Sequence, residues 1–336
     1  MPDSAITVRE LGKTYPDGTR ALRDLTFDIA PGETFGCLGR NGAGKTTLIS
    51  LLTTLDTPTS GTAYVCGHDI RSERSRVRAN IGASLQQAAL DELMTGREHL
   101  SFIGRLSGMS TKQSASRADE LVEAFGLAAS IDKVVAVCSG GTRRRLDLAL
   151  ALLRNPAVLF LDEPTTGLDP QSRRALWAWS RNFASQGGTV LLTTQYLEEA
   201  DELADRVAVM DQGQFAVLDT PQNLKSHYGG KEVHLNAASG SEVASALAEF
   251  GDEAVQTSTG LVIDAAASGA LLKTIERLSC LGIRECAYSV VEPTLEDVFV
   301  RLTGQAPAAD SEGTSAGGVA AIGRSLATAK GKGNMT

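Results

Sequence analysis

The chain of 336 residues contains no apolar run near the roughly 20 residues that cross a bilayer. Its longest apolar stretches are short, such as Ala157 to Leu161, so the chain is not expected to span a membrane by itself. The opening segment MPDSAITVRE carries charges and no apolar core, which argues against a signal peptide. Basic excess is also missing. Formal net charge is -8, which disfavours a whole-chain nucleic-acid binder. Aromatics are few, at 5%. The five cysteines, at 37, 66, 138, 280 and 286, form no CxxC pair, so a reduced compartment and small apolar packing roles are expected for them. His68, His99, His227 and His234 stand alone without metal-ligand spacing and read as ordinary polar histidines. Sustained heptads and internal repeats are absent. What remains is a globular composition, 42% hydrophobic and 21% charged, enough for about two domains.

Up to about residue 226, short apolar runs alternate with Gly-rich turns and helix-length segments. Thr34–Leu38, Ala157–Leu161 and Thr189–Thr193 read as buried strands. That pattern predicts an α/β domain with a parallel sheet and helices on its faces. From Thr95 to about Ser130 the pattern is helical, with breaks near Gly108 and Gly126, and a helical insertion is expected over about 95–150. After Tyr228-Gly229-Gly230 the composition shifts. The expected order over 227–304 is β-α-β-β-α-β, which fits a small ferredoxin-like α+β unit. A closing helix over Thr294–Leu302 follows Pro293, with Thr294 and Asp297 as a capping box. Residues 305–336, poor in large apolar side chains, are expected to be disordered.

The segment Gly39, Arg40, Asn41, Gly42, Ala43, Gly44, Lys45, Thr46 matches G-x-x-x-x-G-K-[ST]. Its glycines let backbone N–H groups turn toward phosphate oxygens, and a helix that follows points its positive end at them. Lys45 would reach the terminal phosphates and the Thr46 hydroxyl would hold Mg²⁺. Downstream, Val158–Leu161 runs into Asp162-Glu163. A strand ending in Asp suits Mg²⁺ coordination, and Glu163, one residue on, suits polarising an attacking water.

Ser139-Gly140-Gly141, followed by Thr142-Arg143-Arg144-Arg145, resembles the signature motif of ABC transporter ATP-binding subunits. Ser139 also reads as a simple helix cap. The resemblance implies a P-loop ABC-type ATP-binding domain over 1–226, ATP and Mg²⁺ as cofactors, and a head-to-tail homodimer with two shared sites. In it, the signature faces the γ-phosphate bound by the other subunit. Tyr15 matches the aromatic that stacks on adenine; a half-buried strand tyrosine is the alternative. Thr47 extends the nucleotide-binding set. Gln86 matches the Q-loop glutamine that contacts Mg²⁺ and the water and senses the membrane partner, although adjacent Gln87 leaves the register open. Gly167-Leu168-Asp169-Pro170 resembles the D-loop, which places Asp169 at the dimer seam.

Two positions depart from the family pattern. Cys138 stands where a bulky residue usually opens the signature. Gln195, in TTQYLEEAD, occupies the switch-histidine position, where an amide can donate to a γ-phosphate oxygen but cannot carry a proton charge. Gln195, together with TGRE (95–98), RRRLDLA (143–149) and PTLEDVFVRLTG (293–304), resembles the daunorubicin/doxorubicin-resistance branch of drug-exporter ATPases. That branch implies export of a drug or natural product through a separate multi-spanning permease, with this chain peripheral on the cytoplasmic side of the cell membrane. Glu163, Gln195 and Lys45 are then the catalytic residues. The competing reading is a soluble ABC-type ATPase acting on ribosomes or DNA. A single phosphate loop and an acidic balance count against it, and no nucleic acid is expected as a partner. The signature and D-loop disfavour a P-loop kinase or GTPase.

Three further features stay with bland readings. Arg71–Arg78 reads as a solvated face. The run Arg143–Arg145 is explained by a helix just after the signature. Trp177 and Trp179 lie two apart on a helical pattern and so point in different directions, at least one of them into the core.

Overall fold

A computed structural model describes residues 4–86, 89–236, 240–257, 260–265, 270–284 and 287–304. Gln87, Cys286 and the tail 305–336 lie outside the described residues. The chain divides into two compact units, Met1–Asn223 and Leu224–Thr336.

In the first unit the elements run β1 (Ile6–Thr14), β2 (Arg20–Ile29), β3 (Thr34–Gly39), α1 (Lys45–Leu52), β4 (Ser60–Val65), β5 (His68–Asp69), α2 (Arg74–Asn80), β6 (Ile81–Ser84), α3 (Gly96–Leu106), α4 (Thr111–Ala124) and α5 (Gly140–Leu152). They continue with β7 (Val158–Asp162), α6 (Pro170–Ser185), β8 (Thr189–Thr194), α7 (Leu197–Leu203), β9 (Arg206–Asp211) and β10 (Gln214–Asp219). α8 (Pro221–Tyr228) spans the division between the units.

A six-stranded sheet in the order β10-β9-β3-β8-β7-β6 forms the centre. Its pairs are parallel apart from β9 with β10. β3, β7 and β8 are buried along their whole length, as strands covered on both faces must be. Alternate residues feed different cores. Val158, Phe160 and Leu191 join the cluster built with β1, β2 and α1, whereas Leu159, Leu161, Val190 and Leu192 join the one built with α3, α4, α5 and α6. Because these strands are parallel, the residues that follow β3, β6, β7 and β8 all emerge at one edge of the sheet. The registers Leu38↔Thr194, Asp162↔Thr193 and Ser84↔Leu161 place them side by side. In open α/β sheets that edge is where ligands bind.

β1, β2, β4 and β5 form a separate antiparallel sheet in the order β2-β1-β4-β5. α3 and α4 each start on a full capping box, Thr95 with Glu98 and Ser110 with Gln113. Trp177 is buried, while half-buried Trp179 packs between Phe125 and Phe183. The arginines of 71–78 are held locally: Arg71 and Arg74 donate to the carbonyls of Gly61 and Thr54, and Arg76 pairs with Glu73.

The second unit runs β11 (Glu232–Leu235), α9 (Gly240–Phe250), β12 (Ala254–Thr257), β13 (Gly260–Asp264), α10 (Ala270–Cys280), β14 (Tyr288–Val291) and α11 (Leu295–Thr303). Its sheet order β12-β13-β11-β14, antiparallel throughout, is the ferredoxin-like arrangement. Val233, Leu235, Phe250, Ile263 and Leu278 form its core. α11 opens on the Thr294–Asp297 capping box.

Candidate active site

β3 ends at Gly39 and the chain turns through Arg40–Ala43 into α1. Gly42 and Gly44 have φ of +83° and +112°, values that side chains beyond glycine rarely adopt. A Cβ on Gly44 would also lie 2.5 Å from the Ala21 carbonyl oxygen. Gly44 caps α1 without any side-chain hydrogen bond, so the first N–H groups of the helix are left to a ligand. Arg40, Asn41 and Thr46 are exposed and Thr47 is half-buried. Lys45 is buried. Its Nζ donates to the Gly39 and Arg40 carbonyls at 2.7 and 3.2 Å and lies 3.3 Å from Glu163 Oε1.

Asp162 ends β7, fully buried. Its Oδ1 accepts from the Thr193 hydroxyl at 2.5 Å across the β7–β8 register, while Oδ2 is buried with no partner. A carboxylate oxygen left unpaired in the interior is costly unless a ligand satisfies it. With exposed Thr46 opening α1, the donor set is all oxygen, as Mg²⁺ requires, so the residues fit that ion. Glu163 is buried as well. Its N–H donates to the Thr193 carbonyl at 3.0 Å, and its φ of +47° is rare for a non-glycine residue.

Tyr15 is half-buried, with its hydroxyl 3.4 Å from Thr47 Oγ1, which sets it beside the start of α1. Lys13 lies 5.0 Å over its ring and is itself tied to Asp56 at 2.6 Å. That hydrogen bond from Lys13 holds the Asp56 carboxyl below the usual range despite partial desolvation. Gln86 is exposed just beyond β6, and Gln195 is half-buried directly after β8.

The signature residues lie at the start of α5. Ser139 and Gly140 are exposed, and Ser139 caps α5 by accepting from the Thr142 N–H. The structure shows Ser139 as the helix cap. Asp169 caps α6, accepting from the N–H groups of Gln171 and Ser172 and from the Ser172 hydroxyl at 2.6 Å, and the Ser172 bonds lower its pKa. A Cβ on Gly141 would lie 3.4 Å from Ser172 Oγ, so the starts of α5 and α6 share one surface.

Burial pushes the Cys37 thiol up to about 12, which makes it an inert filler. Cys138 is half-buried and its thiol makes only a 3.6 Å contact with the Val134 carbonyl. The His99 ring bridges the Asp91 N–H and the Thr95 carbonyl, a packing role.

Sequence reasoning passed over Arg144 and Glu199, both buried and ionisable. Arg144 is 9% exposed and donates to three main-chain carbonyls. Its helical spacing to Leu148 and Leu152 was the available signal, since all three share the inward stripe of α5. Glu199 accepts from the Thr165 hydroxyl at 3.2 Å and the Trp177 indole at 3.4 Å, and burial pushes its carboxyl up to about 7.

The ABC transporter family model matches residues 22–166. The daunorubicin resistance ATP-binding protein DrrA3 of Streptomyces coeruleorubidus is 44% identical over 90% of this chain and 97% of its own. The chain belongs to the ABC transporter ATP-binding family. The daunorubicin/doxorubicin resistance ATP-binding protein DrrA of Streptomyces peucetius is 43% identical, covering 92% and 95% of the two chains. The Nod factor export ATP-binding protein I of Paraburkholderia xenovorans is 38% identical, covering 91% and 99%. Among solved structures, an ABC transporter ATP-binding subunit aligns with TM-score 0.61 and 26% identity over 66% of this chain and 92% of that one. A dimeric ATP-binding cassette bound to ADP and phosphate aligns with TM-score 0.60 and 25% identity over 64% and 98%. As an ABC ATPase, the chain binds and hydrolyses ATP at a site of this fold.

Proposed function

We propose that this chain is the ATPase subunit of an exporter for a hydrophobic drug or natural product, working through a separate permease. Met1–Asn223 supplies the ATPase and the second unit is an accessory. The observation that carries the reading is the juxtaposition of Lys45, Asp162 and Glu163 at the sheet edge, with Asp162 Oδ2 unpaired. The α1 N–H groups and the Lys45 ammonium take the phosphates of ATP. Lys45 then exchanges its loop carbonyls and Glu163 for the γ-phosphate. That releases Glu163 to accept a hydrogen bond from the attacking water and to orient it. Thr46, Asp162 and Gln86 would hold Mg²⁺, which would neutralise charge on the terminal phosphates. Gln195 donates its amide to a γ-phosphate oxygen. Tyr15 stacks on adenine.

Of the arginines at the starts of α5 and α6, Arg143 is held by the Cys138 and Ala136 carbonyls and Glu92, Arg144 by three interior carbonyls, and Arg173 by Glu198 and the Tyr196 ring. Ser139, Gly140, Gly141 and Asp169 therefore serve the ATP of a second copy, in a head-to-tail homodimer. No helix among the described residues is long and apolar enough to cross a membrane. Exposed Leu93 and Val137, 85% and 70% accessible, lie on segments joined by the Ala136 N–H to the Glu92 carbonyl and fit a permease surface. The protein would then sit on the cytoplasmic face of the membrane.

The test is recovery of tagged Glu163→Gln protein from gently solubilised native membranes with ATP and Mg²⁺. Co-purification of one multi-spanning protein is expected. Recovery of ribosomes or DNA in its place, or of no membrane protein, would overturn the exporter reading.

A further inference from the structure

α5 begins with the signature residues and, one turn later, sends Arg144 into the interior. The guanidinium makes three main-chain bonds. Nη1 donates to the Leu85 carbonyl at 2.7 Å, Nη2 to the Asp162 carbonyl at 3.0 Å, and Nε to the Pro164 carbonyl at 2.9 Å. Leu85 immediately precedes Gln86, and Asp162 and Pro164 flank Glu163 on both sides. The fork is aimed by Asp147, 3.5 Å from Nη1, which in turn accepts the Ser84 hydroxyl at 2.5 Å.

A planar group with five fixed N–H donors can hold three carbonyls at once, which an ammonium point charge cannot. The pinned segment needs holding. Glu163 has φ of +47°, a strained conformation for a non-glycine residue that persists only where its surroundings over-determine it. On one side its N–H is bound to Thr193, and on the other Arg144 fixes the carbonyls before and after it.

We propose that Arg144 is a positioning residue that links the signature helix to the Glu163 turn and to the Q-loop backbone. It touches neither nucleotide nor water. A shift of α5 on engaging the second copy's ATP moves three carbonyls together, and with them the Glu163 carboxylate and Gln86. Each site's hydrolysis thereby depends on occupancy of the other. This rests on the shared-site reading above.

The test uses the full chain and the variants Arg144→Lys and Ser84→Ala. Nucleotide affinity is read with a fluorescent ATP analogue, and turnover is read as kcat, KM and the Hill coefficient for ATP. Arg144→Lys is expected to bind nucleotide within about twofold of the parent while kcat falls ~30–100-fold, as small misplacements of reacting groups do. Its Hill coefficient should approach 1. Ser84→Ala, which loosens only the aim of the fork, should lower kcat about 3-fold with affinity and melting temperature preserved. An Arg144→Lys protein with parental kcat and Hill coefficient would overturn the proposal. Should Arg144→Lys fail to fold, an unchanged kcat in Ser84→Ala would do so. A parent chain with neither ATPase activity nor an ATP-dependent dimer would instead overturn the shared-site reading.

Discussion

The two motif-bearing surfaces of the first unit are built on opposite plans. Around the phosphate loop the reactive side chains are buried and held from several directions: Lys45 by two carbonyls and Glu163, Asp162 by Thr193. At the starts of α5 and α6 the caps Ser139 and Asp169 are exposed, and their side-chain hydrogen bonds stay within the first helical turn. The first surface carries its own charge and needs only a ligand. The second offers helix dipoles and small residues, and acquires a purpose only when a phosphate is brought to it. On the proposed shared-site reading, a subunit made this way would hold ATP alone and hydrolyse it in company.

The largest effect is expected on the buried surface. Lys45→Ala removes the cation assigned to the γ-phosphate in the proposed mechanism and leaves Glu163 buried without its partner. ATPase activity should fall by about 1,000-fold, and steady-state phosphate release measures it. Near-parental turnover would break the assignment of Lys45, and with it the contrast between the two surfaces.

How much of this was legible in the sequence follows the same division. The phosphate loop is a local backbone device, so its spacing alone identifies it. Strands β3, β7 and β8 announce themselves because burial on both faces demands unbroken apolar runs. The caps at Ser139 and Thr294 are local too. What could not be read is non-local. The bond from Thr193 to Asp162 depends on strand register. In the run Arg143–Arg145 only the middle residue is buried, and nothing in three identical side chains says which one turns inward. In the pair Glu198-Glu199 the second shares a helical stripe with Leu203 and is buried, while the first faces solvent.

Glu199 sharpens the comparison, because it joins the chain beyond Glu163 to α6 through Thr165 and Trp177. Desolvation raises its carboxyl to about 7, against hydrogen bonds from Thr194, Trp177 and Thr165 and the attraction of Arg173. Arg144 is a second cation that interacts with it. The unfolded chain loses this proton near 4.5. Between those values the folded protein keeps a proton that the unfolded chain has lost, so stability falls as pH rises and levels off above 7. The decline attributable to Glu199 is about 3 kcal/mol. Urea unfolding at pH 5 and pH 8 should show it in the parent and show a flatter dependence in Glu199→Gln. Parallel profiles would count against a buried, protonated Glu199.

A smaller effect separates folding from function on the exposed surface. Nothing lies within 4 Å of a Cβ built on Gly140, and its φ is not left-handed. Gly140→Ala should therefore leave the monomer intact or stabilise it by about 0.5 kcal/mol. The methyl group would nevertheless stand between the helix start and the second copy's phosphate, lowering turnover about tenfold. Thermal melting and ATPase assays read the two effects separately. If both stayed at parental values, the exposed start of α5 would have no part in hydrolysis.

The mildest change is expected at Gln195, and its interest lies in pH rather than in size. A glutamine amide donates one hydrogen bond and holds it at every pH, so Gln195→Ala should lower kcat by about 5-fold, by an equal factor across the range. Any near-neutral inflection in the parent's pH–rate profile belongs to another group, and Glu199 is the buried carboxyl raised to that region, on the helix that follows Gln195. The inflection should therefore survive Gln195→Ala and disappear in Glu199→Gln. If it vanished in Gln195→Ala and persisted in Glu199→Gln, the switch position would be acting through a titrating partner, and the non-titrating role assigned to its amide would fail.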